Sequence, residues 1–155
     1  MRPAARADHE GLCALFAQVD ALHRAALPEV FREPTGPARS LEWLTERLGR
    51  EGLALLVAED AGALVGLVEV ADVAAPASPV HTPRRYAVVD TLVVAQGEQR
   101  RGIGRALMDA AHAWATGRGL KQVQLSVWEF NAAARAFYEA LGYDTLSRKL
   151  GRSLD

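Results

Sequence analysis

From Asp8 onward, apolar residues recur at helical spacing: Leu12, Leu15, Phe16, Val19 and Leu22 share one face, and Asp8 stands where a cap belongs. This predicts a first helix from Asp8 to Leu27, with room before it for a short strand at Arg2 to Ala5. Three prolines and one glycine mark Pro28 to Pro37 as loop. Leu41, Trp43, Leu44 and Leu48 predict a second helix ending near Gly49. The apolar run Leu53 to Glu59, the turn Asp60-Ala61-Gly62 and the run Ala63 to Val73 read as a hairpin. Ala74 to Arg85 carries Pro76, Pro79 and Pro83 and reads as irregular, and Tyr86 to Val94 reads as the next strand.

Gly102 to Gly117 is a strong helical pattern, with Ile103, Leu107, Ala111 and Trp114 along one face and Gly117 and Gly119 to end it. A strand at Val123 to Val127, a short helix at Asn131 to Leu141 closed by Gly142, and a final strand at Thr145 to Leu150 complete the reading. The order is strand, two helices, three strands, helix, strand, helix, strand. That is an α/β chain with a mixed sheet, because three consecutive strands do not suit a purely parallel, doubly wound sheet.

Composition narrows the class rather than the activity. The 155 residues suit one domain spanning 1–155, and 50% hydrophobic with 24% charged residues is ordinary globular usage. A formal net charge of -1 provides no global field for nucleic acid, so any anion site has to be local. Cys13 is the sole cysteine and reads as packing on an apolar helical face, despite His9 nearby. Met1 to Glu10 lacks the apolar stretch of a signal peptide, and no run approaches the roughly 20 apolar residues that span a bilayer. The expectation is a cytoplasmic protein with no membrane partner.

The most informative stretch is Val88 to Leu107, where an apolar strand ends near Val94, a polar turn follows, and a glycine-bearing segment opens a helix. The first amides of a helix have no intrahelical partner, and the helix dipole adds positive charge there, so a phosphate can accept several backbone hydrogen bonds at once. Gly102 and Gly104 allow close approach, and Arg100, Arg101 and Arg105 add charge. Rival anion loops fail on spacing. Gly97 to Gly102 begins like a P-loop, but Ile103-Gly104 occupies the Lys-Ser/Thr positions. Gly102-x-Gly104 begins like a dinucleotide fingerprint, but Leu107 replaces the third glycine and Lys121 to Gln124 holds no acid for a ribose.

Gln99-Arg100-Arg101-Gly102-Ile103-Gly104 resembles the Gln/Arg-x-x-Gly-x-Gly/Ala signature of the GCN5-related N-acetyltransferases. Asn131, Phe137-Tyr138 and Leu141-Gly142-Tyr143 resemble that family's second signature, and the likeness is clear from about Tyr86 to Leu150. The resemblance implies a mostly antiparallel mixed sheet flanked by helices, with a V-shaped split between two central strands that holds acetyl-coenzyme A as co-substrate. It implies that the backbone of Leu92, Val93 and Val94 pairs with the pantetheine arm, that Gln99, Arg100, Arg101, Gly102, Ile103, Gly104 and Arg105 hold the pyrophosphate, that Asn131 contacts the cofactor from the far side, and that Tyr138 lies near the thioester sulfur. The implied reaction is metal-free acetyl transfer by direct attack of a primary amine on a small molecule or a peptide. A homodimer is also implied. A coenzyme A-binding sensor with no turnover is the competing class.

That chemistry needs a neutral amine, a donor for the oxyanion, and a proton for the departing thiolate. A phenol can supply the proton in a dry cleft, which fits Tyr138. Asn131, Arg135 and Tyr138 share a helical face, and Asn131 is also a natural N-cap. Asp90, mid-strand among Val88, Val89, Thr91 and Leu92, is costly unless paired or useful. It reads either as the base, on one strand face with Leu92 and Val94, or as a salt-bridge partner of Arg84 or Arg85. Glu69 is the second candidate base and His81 a third. Trp114 and Phe137 read as core. Trp128-Glu129-Phe130 can wall the acceptor site, meet a neighbouring subunit or fill the core.

Overall fold

A computed structural model of the chain describes residues 1–154. Its five strands are β1 (Arg2–Pro3), β2 (Leu53–Asp60), β3 (Ala63–Ala75), β4 (Arg84–Val94) and β5 (Val123–Leu125). They lie side by side in chain order, with the first four antiparallel and β5 parallel to β4. Helices α1 (His9–Ala26) and α2 (Leu41–Gly49) cover one face, and α3 (Ile103–Gly117) covers the other, with α4 (Ala132–Ala140) beside it. The mixed sheet expected from the element order is therefore present.

Strand alternation divides the core in two. Leu55 and Val57 of β2 and Leu67 of β3 point to the α1–α2 side, where they meet Leu12, Leu15, Phe16 and Leu44. Val68 and Val70 of β3 and Ala87 and Val89 of β4 point the other way, onto Leu107, Met108, Ala111 and Ala115 of α3. Gly66 lets α3 sit close to the sheet. A Cβ there would fall 2.9 Å from Leu107 Cδ1 and 3.0 Å from the Val93 carbonyl oxygen.

Several boundaries differ from the sequence reading. Ala74 and Ala75 pair with Arg85 and Arg84, so the irregular stretch shrinks to residues 76–83. The three prolines all lie inside that shorter stretch, and the flanking residues keep their donors. Asp8 precedes α1, but its carboxylate accepts from Arg2 and the Ala5 amide rather than capping the helix. Strand β5 stops at Leu125. Thr145 to Leu150 is not a strand, and Leu146 and Leu150 are exposed. Arg148 stands between those two leucines on the face they would share in a strand, so the segment has no continuous apolar face to seat against a neighbour.

Candidate active site

The turn between β4 and α3 gathers free donors. Arg100 and Gly102 both take left-handed backbone, at φ +63 and +80, and alternate with Arg101 and Ile103, whose φ is not positive. Alternation of this kind turns successive N–H groups to one side and forms an anion-binding hollow. Among the described residues, the amides of Gln99 through Arg105 meet no protein acceptor, and α3 has no side-chain cap. The space at Gly102 is open, whereas a Cβ at Gly104 would lie 3.4 Å from Phe137 Cζ and 3.6 Å from Val94 Cγ2. Gly104 is thus where the end of β4, the start of α3 and helix α4 meet. Arg101 is engaged by Glu98 and lies 3.5 Å from Asp60, so its charge is answered locally. Arg100 and Arg105 are exposed and have no ion pair among the described residues.

Beside this turn the sheet opens. Strand β5 pairs with β4 only at Ala87, Val88 and Val89, and beyond that point β4 keeps a single neighbour, β3. The opening starts at a bulge: Glu69 pairs with Thr91 and Val70 with Val89, which leaves Asp90 as the extra residue. The Ala95 amide donates to the Val65 carbonyl at 2.8 Å, so by alternation Val93 also faces β3, while Leu92 and Val94 turn their backbone groups to the open side. The Val94 carbonyl oxygen lies 3.4 Å from Nε2 of Gln99 on that side.

Helix α4 forms the far wall. The Asn131 side chain accepts from the Ala134 amide at 3.1 Å, which uses its oxygen and leaves its amino group free to donate. Tyr138 is half-buried, and its hydroxyl has no protein partner among the described residues. The neighbouring phenol, Tyr143, is tied to His112 Nε2 at 2.7 Å. Burial pushes both phenols up, Tyr143 to about 12 with help from Tyr138. Tyr138 therefore stays protonated at neutral pH and keeps a proton to give.

Comparison with known proteins agrees with this geometry. Residues 16–143 match the model of the acetyltransferase (GNAT) family. The chain belongs to the GNAT family. A GNAT chain of this kind is an N-acetyltransferase. An uncharacterized N-acetyltransferase, YhfO, of Bacillus subtilis (strain 168) is 26% identical over 116 residues, which is 75% of each chain. A point mutant of the BH1408 protein from Bacillus halodurans superposes with a TM-score of 0.94 at 24% identity, covering 99% of this chain and 98% of that one. The aminoglycoside N-acetyltransferase AAC(6')-Iy, solved in complex with CoA, superposes at 0.72 with 17% identity over 99% of this chain and 98% of that one. The likenesses to solved structures show the GNAT fold.

The acidic side of this GNAT site departs from the sequence reading in one respect. The bulge resets strand parity, so Leu92 and Val94 pack with the α3 core as Val89 does, and Asp90 does not share their face. Asp90 is exposed, and Arg85 pairs with Asp72 instead of with it. Glu69 is only 1% exposed and holds Arg47 Nη2 at 2.6 Å. Burial pushes the Glu69 carboxyl up, Arg47 pulls it back, and the Asp90 charge adds to the push. The two acids are thus electrostatic neighbours on the α1–α2 side. His81 sits in the β3–β4 loop, held by Ser78 at 2.7 Å, at the opposite end of β4 from Val94 and about 30 Å of strand away. It does not reach the cleft. His9 and Cys13 both lean on the Arg39 carbonyl, at 3.0 and 3.5 Å, and tie α1 to the segment before α2.

Sequence reasoning missed Arg47 and Phe31. Arg47 lies 22 residues from the acid it holds, with no local signal to connect them. Phe31 stands in the Pro28 to Pro37 loop and packs edge-on against Trp128 at 5.7 Å and flat on His23 at 5.0 Å, while Phe130 meets His23 at 6.0 Å. Of the three roles open to Trp128 and Phe130, core filling is excluded by their exposure, 45% and 37%. They join the β5–α4 turn to the α1 side of the molecule. No described helix is long and apolar enough to cross a membrane.

Proposed function

We propose that the chain transfers the acetyl group of acetyl-coenzyme A directly to a primary amine of a small molecule. The observation that carries this reading is the run of unpartnered amides from Gln99 to Arg105, set beside the open backbone edge at Leu92 and Val94. Together they suit a diphosphate joined to an extended amide-bearing arm. Arg100 and Arg105 add charge for the phosphates, and the free Asn131 amino group donates from the opposite wall. The CoA bound by a structural neighbour supports the same reading.

Acetyl-coenzyme A supplies the activated acyl group when bound. The chain's own residues do the rest. Tyr138 gives its phenolic proton to the departing thiolate. Glu69, aided by Asp90, draws in the substrate ammonium and accepts its proton through water, because a carboxyl pushed up by burial is a better base than an ordinary one. The donor for the oxyanion is the open-side amide of Leu92 or Val94, since Val93 is turned to β3. Small-molecule acceptors are the target of neighbours named as aminoglycoside acetyltransferases, which favours a small amine over a peptide.

The test joins calorimetry with coenzyme A to an assay of free-thiol release over a broad amine panel. Tight coenzyme A binding with amine-dependent thiol release supports the reading. Binding without release from any amine assigns the chain to the sensor class, and no binding removes both.

A further inference from the structure

A second hollow lies on the α1–α2 side, with a volume of about 400 Å³, the size of a small-molecule site. Arg32, Arg39 and Arg47 line it with Asp20, Phe31 and Trp43. Three guanidinium groups against one carboxylate is an unusual lining for a protein with net charge -1. Arg39 is neutralised by Asp20, through contacts of 2.6 and 3.1 Å. Arg47 is held by Glu69, but only through Nη2, and its Nε meets no acceptor among the described residues. Arg32 is exposed and has no ion pair among the described residues. The hollow connects to the reaction centre through Arg47, because the acid that Arg47 holds is the neighbour of Asp90 at the bulge where β4 leaves β5.

We infer that this hollow receives the acceptor, and that the acceptor is an amine that also bears a carboxylate, of the amino-acid kind, with an apolar body. The inference rests on the acetyltransferase reading for its chemistry but not for its binding prediction. Glu69 and Asp90 give the ammonium end a place beside the cleft. Arg32, with the incompletely paired Arg47, gives the carboxylate end a fork-shaped donor. Phe31 and Trp43 supply apolar walls for the acceptor's side chain. A polycation such as an aminoglycoside would place several ammonium groups against three guanidiniums, so the acceptor named for the structural neighbours does not suit this lining.

Matched amine pairs that differ by one carboxylate test this: phenylalanine against 2-phenylethylamine, and leucine against isoamylamine. Binding is measured by calorimetry on the full chain saturated with coenzyme A, and thiol release with acetyl-coenzyme A is measured in parallel. In at least one pair the member with the extra carboxylate should bind about ten-fold tighter. That advantage should largely vanish in Arg32→Ala and partly return in Arg32→Lys. Arg32 is exposed, so these variants fold. Equal binding in every pair, tighter binding of the members lacking the extra carboxylate, or an advantage untouched by Arg32→Ala overturns the inference. Thiol release only from those same lacking members overturns it too and leaves the acetyltransferase reading standing. The predicted binding preference with no thiol release from any amine keeps the hollow and overturns acetyl transfer.

Discussion

Arg47 Nη2 donates to Glu69 Oε1 at 2.6 Å and so ties the last turn of α2 to the middle of β3. The carboxylate is almost fully buried, and that burial outweighs the pull of Arg47 and Arg39 and holds it above its ordinary value of 4.5. At a pH between 4.5 and the raised value, the folded chain holds more protons at Glu69 than the unfolded chain does, so stability falls as pH rises through that window. Activity moves the other way, because only the ionised form accepts a proton. The acidic limb of kcat/KM should therefore lie above 4.5. Glu69→Gln should flatten that limb and lower turnover by about 10²-fold while the stability slope in the same window disappears. A limb unchanged in Glu69→Gln would assign the base elsewhere, with Asp90→Asn the next variant to measure.

The two phenols of the α4 region separate catalysis from packing. Tyr138 has a free hydroxyl, and Tyr143 is bonded to His112. Tyr138→Phe should cut kcat by about 10²-fold with coenzyme A affinity unchanged. Tyr143→Phe should leave turnover near that of the parent chain and lower stability by about 1 kcal/mol, read by denaturant unfolding. Since the Tyr138 phenol is pushed above its ordinary 10, it stays protonated throughout the neutral range, and no loss of activity from its ionisation should occur below pH 10.

How far the sequence foretold this site depends on the kind of information each residue carries. Helices α1 and α3 were legible because their apolar positions repeat within the segment itself, and the Gln99 to Gly104 turn was legible because glycine spacing is local. The bulge at Asp90 was not, since the extra residue exists only relative to its pairing with Glu69 on β3. One unseen residue reversed the face assigned to Asp90 relative to Leu92 and Val94. The acceptor-side hollow was equally hidden: Arg32, Arg39 and Arg47 sit on a loop, before a helix and within it, and only tertiary packing brings them together.

Two glycines near the β4–α3 turn should respond differently to the same substitution. Gly66→Ala places a methyl 2.9 Å from Leu107 and 3.0 Å from a backbone oxygen, which overpacks the sheet–α3 interface and should cost about 1–3 kcal/mol. Gly102→Ala meets nothing, but its φ of +80 suits a side chain poorly and should cost about 1–2 kcal/mol. The methyl in Gly102→Ala also intrudes where the amides converge, so coenzyme A affinity should fall in that variant and stay nearly unchanged in Gly66→Ala. Calorimetry beside thermal unfolding distinguishes them. Equal affinities would mean that the amides of this turn do not hold the ligand.

The arginines of the turn differ in the same testable way. Arg101 is already answered by Glu98 and Asp60, whereas Arg100 has no ion pair among the described residues and sits at φ +63. In Arg100→Gly, release from the left-handed conformation gains about 1 kcal/mol. The greater freedom that glycine gives the unfolded chain costs about 0.4–1 kcal/mol. The two nearly cancel, so the melting temperature should barely move. Coenzyme A affinity should drop several-fold at low salt, and the drop should shrink as salt screens the lost charge. Arg101→Ala should change affinity less, because its partners already hold its charge. An equal loss in both variants, or a loss independent of salt, would remove Arg100 from the phosphate site and leave the backbone amides as the anchor.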